Sequence, residues 1–164
     1  MAEFHSTLCA RDEALLRDAI ALSARSRDSG NHPFAAIIAD AGGAIIAQAG
    51  NTSRGDCTCH AEMNAVRIAS AIQSADVLRR ATLYSSAEPC AMCAGAIYWS
   101  GIGRVIYALS ERRLLSLTGS HPENPTLSLP CREVFARGQR PLEVIGPLFE
   151  DDAAVAHRGF WDAP

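Results

Sequence analysis

Hydrophobic and polar positions follow helical and strand periods in turn along the chain. From about Ala10 to Ser29, the apolar residues Leu15, Leu16, Ala19, Ile20 and Leu22 share one stripe with Arg and Asp opposite, and Gly30 supplies a stop. This predicts a first amphipathic helix. The runs "PFAAIIAD" and "AIIAQAG", joined by a short turn with Gly42 and Gly43, predict a β-hairpin. After the polar loop "NTSRGDCTC", helical spacing returns over residues 60–74 through Ala61, Ala65, Val66, Ile68, Ala69 and Ile72. "ATLYSS" then reads as a strand, "AMCAGAIYWS" as a mostly apolar helix and "RVIYAL" as another strand.

Helix and strand thus alternate over residues 60–108, which argues for right-handed crossovers and parallel strands. The segment Glu111 to Pro130, with Gly119, Pro122, Pro125 and Pro130, is expected to be mostly loop. "CREVFARG" predicts a short helix ending at Gly138, and "LEVIGPL" a fifth strand parallel to the fourth, because a helix precedes it. The tail "DDAAVAHRGFW" predicts a last helix beginning at an Asp cap. No repeat and no second domain is expected within residues 1–164.

Composition sharpens the picture. A chain of 164 residues, 48% hydrophobic and 20% charged, has the size of one domain with a sizeable core. The start "MAEFHSTLCARDEALL" has no basic stretch followed by an apolar run, and no segment reaches about 18 uninterrupted apolar residues. The expectation is a soluble cytoplasmic protein with no membrane partner. In that setting six cysteines point to metal binding or free thiols rather than to disulfides. Net charge is -3, and all 15 basic residues are arginine. From Pro141 to Pro164, Arg158 faces Glu143, Glu150, Asp151, Asp152 and Asp162, a balance that does not suit a phosphate-tracking surface.

The candidate chemistry lies in "CHAEMNAVRIA" and "SSAEPCAMCAGAIYW". Zinc accepts imidazole nitrogen and thiolate sulfur, and catalytic sites usually supply three such ligands and leave a position for water. His60, Cys90 and Cys93 offer three. The two-residue gap in "PCAMC" lets both sulfurs reach one ion from a first helical turn, where the dipole favours thiolate. Pro89 fits just before that helix start. Glu62 lies roughly 200° from His60 around a helix, from the ~100° step per residue, so it is a poor fourth ligand. It is placed instead to take a proton from bound water and pass it to a leaving amine. Two other readings stay open here. Cys57 or Cys59 as a fourth ligand makes a structural zinc module, and an isolated CxxC suits a redox pair.

With "HAE" followed by "PCAMC", the chain resembles the zinc-dependent cytidine and nucleobase deaminase superfamily over most of residues 10–150. The resemblance implies a three-layer α/β/α sandwich around a five-stranded mixed sheet, one Zn2+ per chain on His60, Cys90 and Cys93, Glu62 as proton shuttle, and a homodimer. The inferred parallel fifth strand is similar to the branch that contains tRNA adenosine, cytosine, guanine and deoxycytidylate deaminases. "CAGAIYWSG" resembles bacterial guanine deaminases, while "CAGA" and "IGRV" are also similar to tRNA adenosine deaminases. By the same resemblance Asn51, Phe34 and Ala61 belong to the substrate site, and Trp99 supplies an aromatic wall. Trp161 belongs to a C-terminal lid over residues 150–164. Glu111, with His121 and Glu123, lies where a carboxylate can accept N–H donors of a guanine-like edge. A free base or related aminated heterocycle, guanine-like first, is therefore the expected substrate. A tRNA remains the alternative that needs phosphate contacts from Arg79, Arg80, Arg112 and Arg113, and nucleosides or nucleotides follow.

Overall fold

A computed structural model describes residues 8–162. Residues 1–7 and 163–164, which hold part of the N-terminal stretch read as lacking a targeting segment and the end of the expected lid, lie outside them. The first helix, α1 (Ala10–Asp28), begins at Cys9, whose sulfur accepts the Asp12 N–H while the Asp12 carboxylate accepts from the Cys9 N–H. The reciprocal pair satisfies two donors that a helix start otherwise leaves open. The hairpin of β1 (Ala35–Ala39) and β2 (Ile45–Gly50) turns where Asp40 Oδ1 accepts from the N–H groups of Gly42 and Ala44, and Gly43 takes φ +89°.

Next come α2 (Ala61–Ile72), a short α3 (Ala75–Arg79), β3 (Thr82–Ala87), α4 (Ala91–Ser100) and β4 (Arg104–Leu109). They are followed by α5 (Glu111–Thr118), α6 (Cys131–Ala136), β5 (Glu143–Ile145), α7 (Glu150–Ala154) and a 3-10 turn at Val155–His157. The sheet order is β2-β1-β3-β4-β5, with the first two pairings antiparallel and the last two parallel. Strand neighbours point to opposite faces. Ile38, Leu83 and Val105 bury against α2, α4 and α6, whereas Ile37, Tyr84 and Ile106 bury against α1, α5 and α7. The result is the expected three-layer sandwich with a parallel fifth strand.

Three expectations are corrected. Residues 111–118 are helix α5 rather than loop: Ser110 accepts the Arg113 N–H, and Leu114 and Thr118 form a buried face. The fifth strand stops at Ile145, because Pro147 has no N–H to extend the ladder. The last helix is entered through Phe149 at φ 53°, not through an Asp cap, and Glu150 turns its carboxylate to the N–H and hydroxyl of Ser110. No helix among the described residues is long and apolar enough to cross a membrane.

Candidate active site

Two helix starts meet at one end of the sheet. His60 is the N-cap of α2 and Cys90 the N-cap of α4, and the two helices pack together. Cys93 follows one turn into α4 and is fully buried. His60 Nδ1 lies 3.6 Å from Cys90 Sγ and 3.7 Å from Cys93 Sγ. One donor atom from each of the three falls within 4.8 Å of the others, and they are the only such metal-type group among the described residues. Cys57 and Cys59 stand outside it; Cys59 instead lies 3.3 Å from Arg67 Nη1. No closed four-ligand shell is formed by the described residues.

The sulfurs show why a cation suits this place. Hydrogen bonding from the Cys93 thiol, together with His60, holds Cys90 down at about 4, while that same bond and burial push Cys93 well up. Two thiolates this close repel each other. A divalent ion between them offsets that repulsion and accepts the imidazole nitrogen as well. The donor set of one nitrogen and two sulfurs is the one zinc takes.

Glu62, 6% exposed, sits beside this cluster with Oε2 3.5 Å from Cys93 Sγ. Its other oxygen accepts a 2.8 Å hydrogen bond from Ser85 Oγ on β3. Burial, then the negative charge of Cys90, raises its pKa. A carboxylate so held is a stronger base than an exposed one and is placed to take and return a proton.

The cluster opens into a cavity of about 570 Å³. Of the expected substrate residues, Asn51, Phe34 and Glu111 line it. Three do not line it. Ala61 is fully buried at the start of α2, and Trp161 packs behind the wall against His32 at 5.2 Å and Phe34 at 6.2 Å. Trp99 is 85% exposed on the far side of α4, edge-on to Tyr98. It forms no wall. Trp161, the aromatic anchor of the expected lid, also packs its ring 5.3 Å from that of His121 in the segment between α5 and α6.

Sequence reasoning missed His32 and Glu88 and named Glu123 beside Glu111 as a candidate acceptor; all three line the cavity. His32 bonds Glu123 at 2.7 Å. Glu88 accepts the first N–H of α5, from Glu111, and the first N–H of α6, from Cys131, both at 3.0 Å. Its signal was a carboxylate directly before Pro89, between the end of a strand and a helix start. Glu111 is thereby fixed at the cavity with no protein hydrogen bond to its carboxylate among the described residues. Burial first, then the charges of Cys90 and Glu88, pushes it up to about 7.

Comparison with known proteins gives the same picture. A profile of the cytidine and deoxycytidylate deaminase zinc-binding region matches residues 9–109. The probable cytosine deaminase of Schizosaccharomyces pombe is 46% identical over 156 residues, covering 94% of this chain and 95% of that one. The solved guanine deaminase of Nitrosomonas europaea has a TM-score of 0.75 at 26% identity over 96% of this chain and 88% of its own. A solved protein in complex with 2,6-diaminopurine has a TM-score of 0.74 at 26% identity, over 94% and 83%. With its sheet order, its histidine and cysteine cluster and the profile that spans them, this chain belongs to the zinc-binding cytidine and deoxycytidylate deaminase family.

Proposed function

We propose that this hydrolytic deaminase acts on a free nucleobase or a closely related aminated heterocycle, guanine-like first. The observation that carries the reading is the placement of Glu62. It is a buried carboxylate anchored by Ser85, next to the three-donor cluster, at the floor of a cavity that also presents Asn51 and Glu111. Zinc held by His60, Cys90 and Cys93 supplies a Lewis acid that makes water acidic enough to react at neutral pH.

The chain's own groups do the rest. Glu62 Oε2 takes a proton as the water oxygen adds to the ring carbon bearing the amino group. Ser85 keeps Oε1 occupied, so the receiving oxygen has one orientation. Glu62 then hands that proton to the amino nitrogen, the remaining proton of the added water passes to the ring nitrogen, the exocyclic C–N bond breaks, and ammonia leaves with the ring carbonyl formed. Phe34 offers an apolar face to a planar ring, and Glu111 a carboxylate to ring or exocyclic N–H groups. Likeness to the Nitrosomonas guanine deaminase supports the guanine-like choice.

Cytosine is the second reading, favoured by the near full-length likeness to the probable cytosine deaminase of the yeast. Ammonia release from guanine, 2,6-diaminopurine, cytosine, cytidine, deoxycytidylate and an anticodon stem-loop separates these readings. Release only from the stem-loop would sink the free-base proposal. A cytoplasmic homodimer belongs to the same proposal. It is supported by exposed Ile68 and Ile72 on α2 and Trp99 on α4, and a monomer in sedimentation at micromolar concentration would remove it.

A further inference from the structure

The segment from Gly119 to Pro130, between α5 and α6, roofs the cavity through residues such as Pro122, Asn124 and Leu127. Many of its backbone bonds are local, for example His121 N–H to Thr118 and Asn124 N–H to His121. Glu123 ties it to the body, its Oε2 lying 2.7 Å from His32 Nε2 and 3.5 Å from Arg54 Nη2, and the His121 ring packs 5.3 Å from that of Trp161. His32 itself is buried before β1, with Phe160 and Trp161 against its ring at 5.8 and 5.2 Å. Its ring is held by these neighbours within the body of the fold.

The other ring nitrogen faces the substrate side. His32 Nδ1 is 3.3 Å from Ser53 Oγ, and that hydroxyl donates to Asn51 Oδ1 at 2.7 Å. The Ser53 backbone N–H, which can only donate, reaches the same atom at 2.9 Å, so it must be the amide oxygen. Both acceptor sites of Oδ1 are thus used within the turn. The Asn51 nitrogen, with no protein partner among the described residues, is the group left for a ligand in the cavity.

We infer that His32 is a positioning residue: through Glu123 it holds the roof down, and through Ser53 it fixes Asn51 as a hydrogen-bond donor to the substrate. The inference rests on the reading of the cavity as a base pocket and narrows it. The substrate edge beside Asn51 must carry an acceptor, such as a ring carbonyl or an imine nitrogen, while the edge beside Glu111 carries N–H. His32 does not touch the reacting atoms. Its loss acts on binding rather than on the proton transfer at Glu62.

The test uses the zinc-loaded full chain and four variants: His32→Phe, which keeps a ring among the aromatics, His32→Gln, which keeps an N–H donor for Glu123, Glu123→Ala, and the His32→Phe, Glu123→Ala double variant. Hydrogen exchange without substrate is read over residues 119–130 and 51–55, with β3 and β4 as the folding control. His32→Phe and Glu123→Ala should each speed roof exchange by roughly tenfold, as loss of a charge-assisted bond implies. The double variant should be no faster than either, His32→Gln should stay near the parent, and β3 and β4 should not change. On the base that the parent deaminates, His32→Phe should raise KM by roughly tenfold and leave kcat within about twofold. Parental roof exchange in His32→Phe, or additive effects in the double variant, would overturn the inference. Faster exchange with an unchanged KM would overturn the link to Asn51. If the parent deaminates no base offered, the functional proposal fails while the exchange experiment still decides the role of His32.

Discussion

His60 and Glu62 share one helix start yet meet different partners, because His60 is the extended N-cap and Glu62 lies within the first turn of α2. His60 meets the sulfurs of Cys90 and Cys93, while Glu62 reaches Ser85. Glu62→Gln keeps that hydroxyl contact but cannot take a proton. Turnover should fall by about 10²- to 10⁴-fold, the usual worth of general acid–base catalysis, with zinc content by atomic absorption unchanged. Cys57→Ser and Cys59→Ser should each retain one zinc per chain, and loss of metal in either would restore the structural-zinc reading. These four residues were legible in the sequence because ligand chemistry and helix spacing together define them. Trp99 was not, because its side depends on the phase of α4: Ile97 is buried, and Trp99, two residues on, lies on the opposite face.

At the level of elements, Glu88 joins the starts of α5 and α6 to the end of β3 through two hydrogen bonds from backbone N–H groups. Glu88→Ala leaves the buried Cys131 N–H and the part-buried Glu111 N–H without this partner and should destabilise the chain by about 2 kcal/mol, read as a lower denaturant midpoint. Glu111 would also lose its fixed place, so KM should rise in the same variant. Long periodic elements such as α1, α2 and the central strands were readable from apolar spacing. Helix α5 was not, because its eight residues bury only Leu114 and Thr118 and the prolines that follow dominate the composition. The early end of β5 depends on Pro147 withholding one donor, a single-residue effect that an apolar run conceals.

Over the whole molecule, the C-terminal tail returns to α1 and the cavity wall. His157 is buried there, its Nδ1 accepting from Trp161 Nε1 at 3.1 Å, and burial followed by the charge of Arg27 lowers its pKa to about 4. As pH falls below about 6.5, the unfolded chain takes up a proton at this site and the folded one does not until about 4. Stability is therefore lost between those values as pH falls. Denaturant midpoints at pH 7 and pH 5 should drop less for His157→Gln than for the parent, and an equal drop would refute the assignment. The sequence identified the tail's aromatics but not which side of the wall they occupy, since that depends on how α7 docks on β4. The central claim is that Glu62 and the zinc cluster deaminate a free base. Its most direct test is ammonia release by the zinc-loaded protein from guanine, 2,6-diaminopurine and cytosine, with zinc-replete Glu62→Gln as the blank. Release from one of these bases, abolished in the blank, is the predicted result; release that persists undiminished in Glu62→Gln, or none from any free base, would contradict the account.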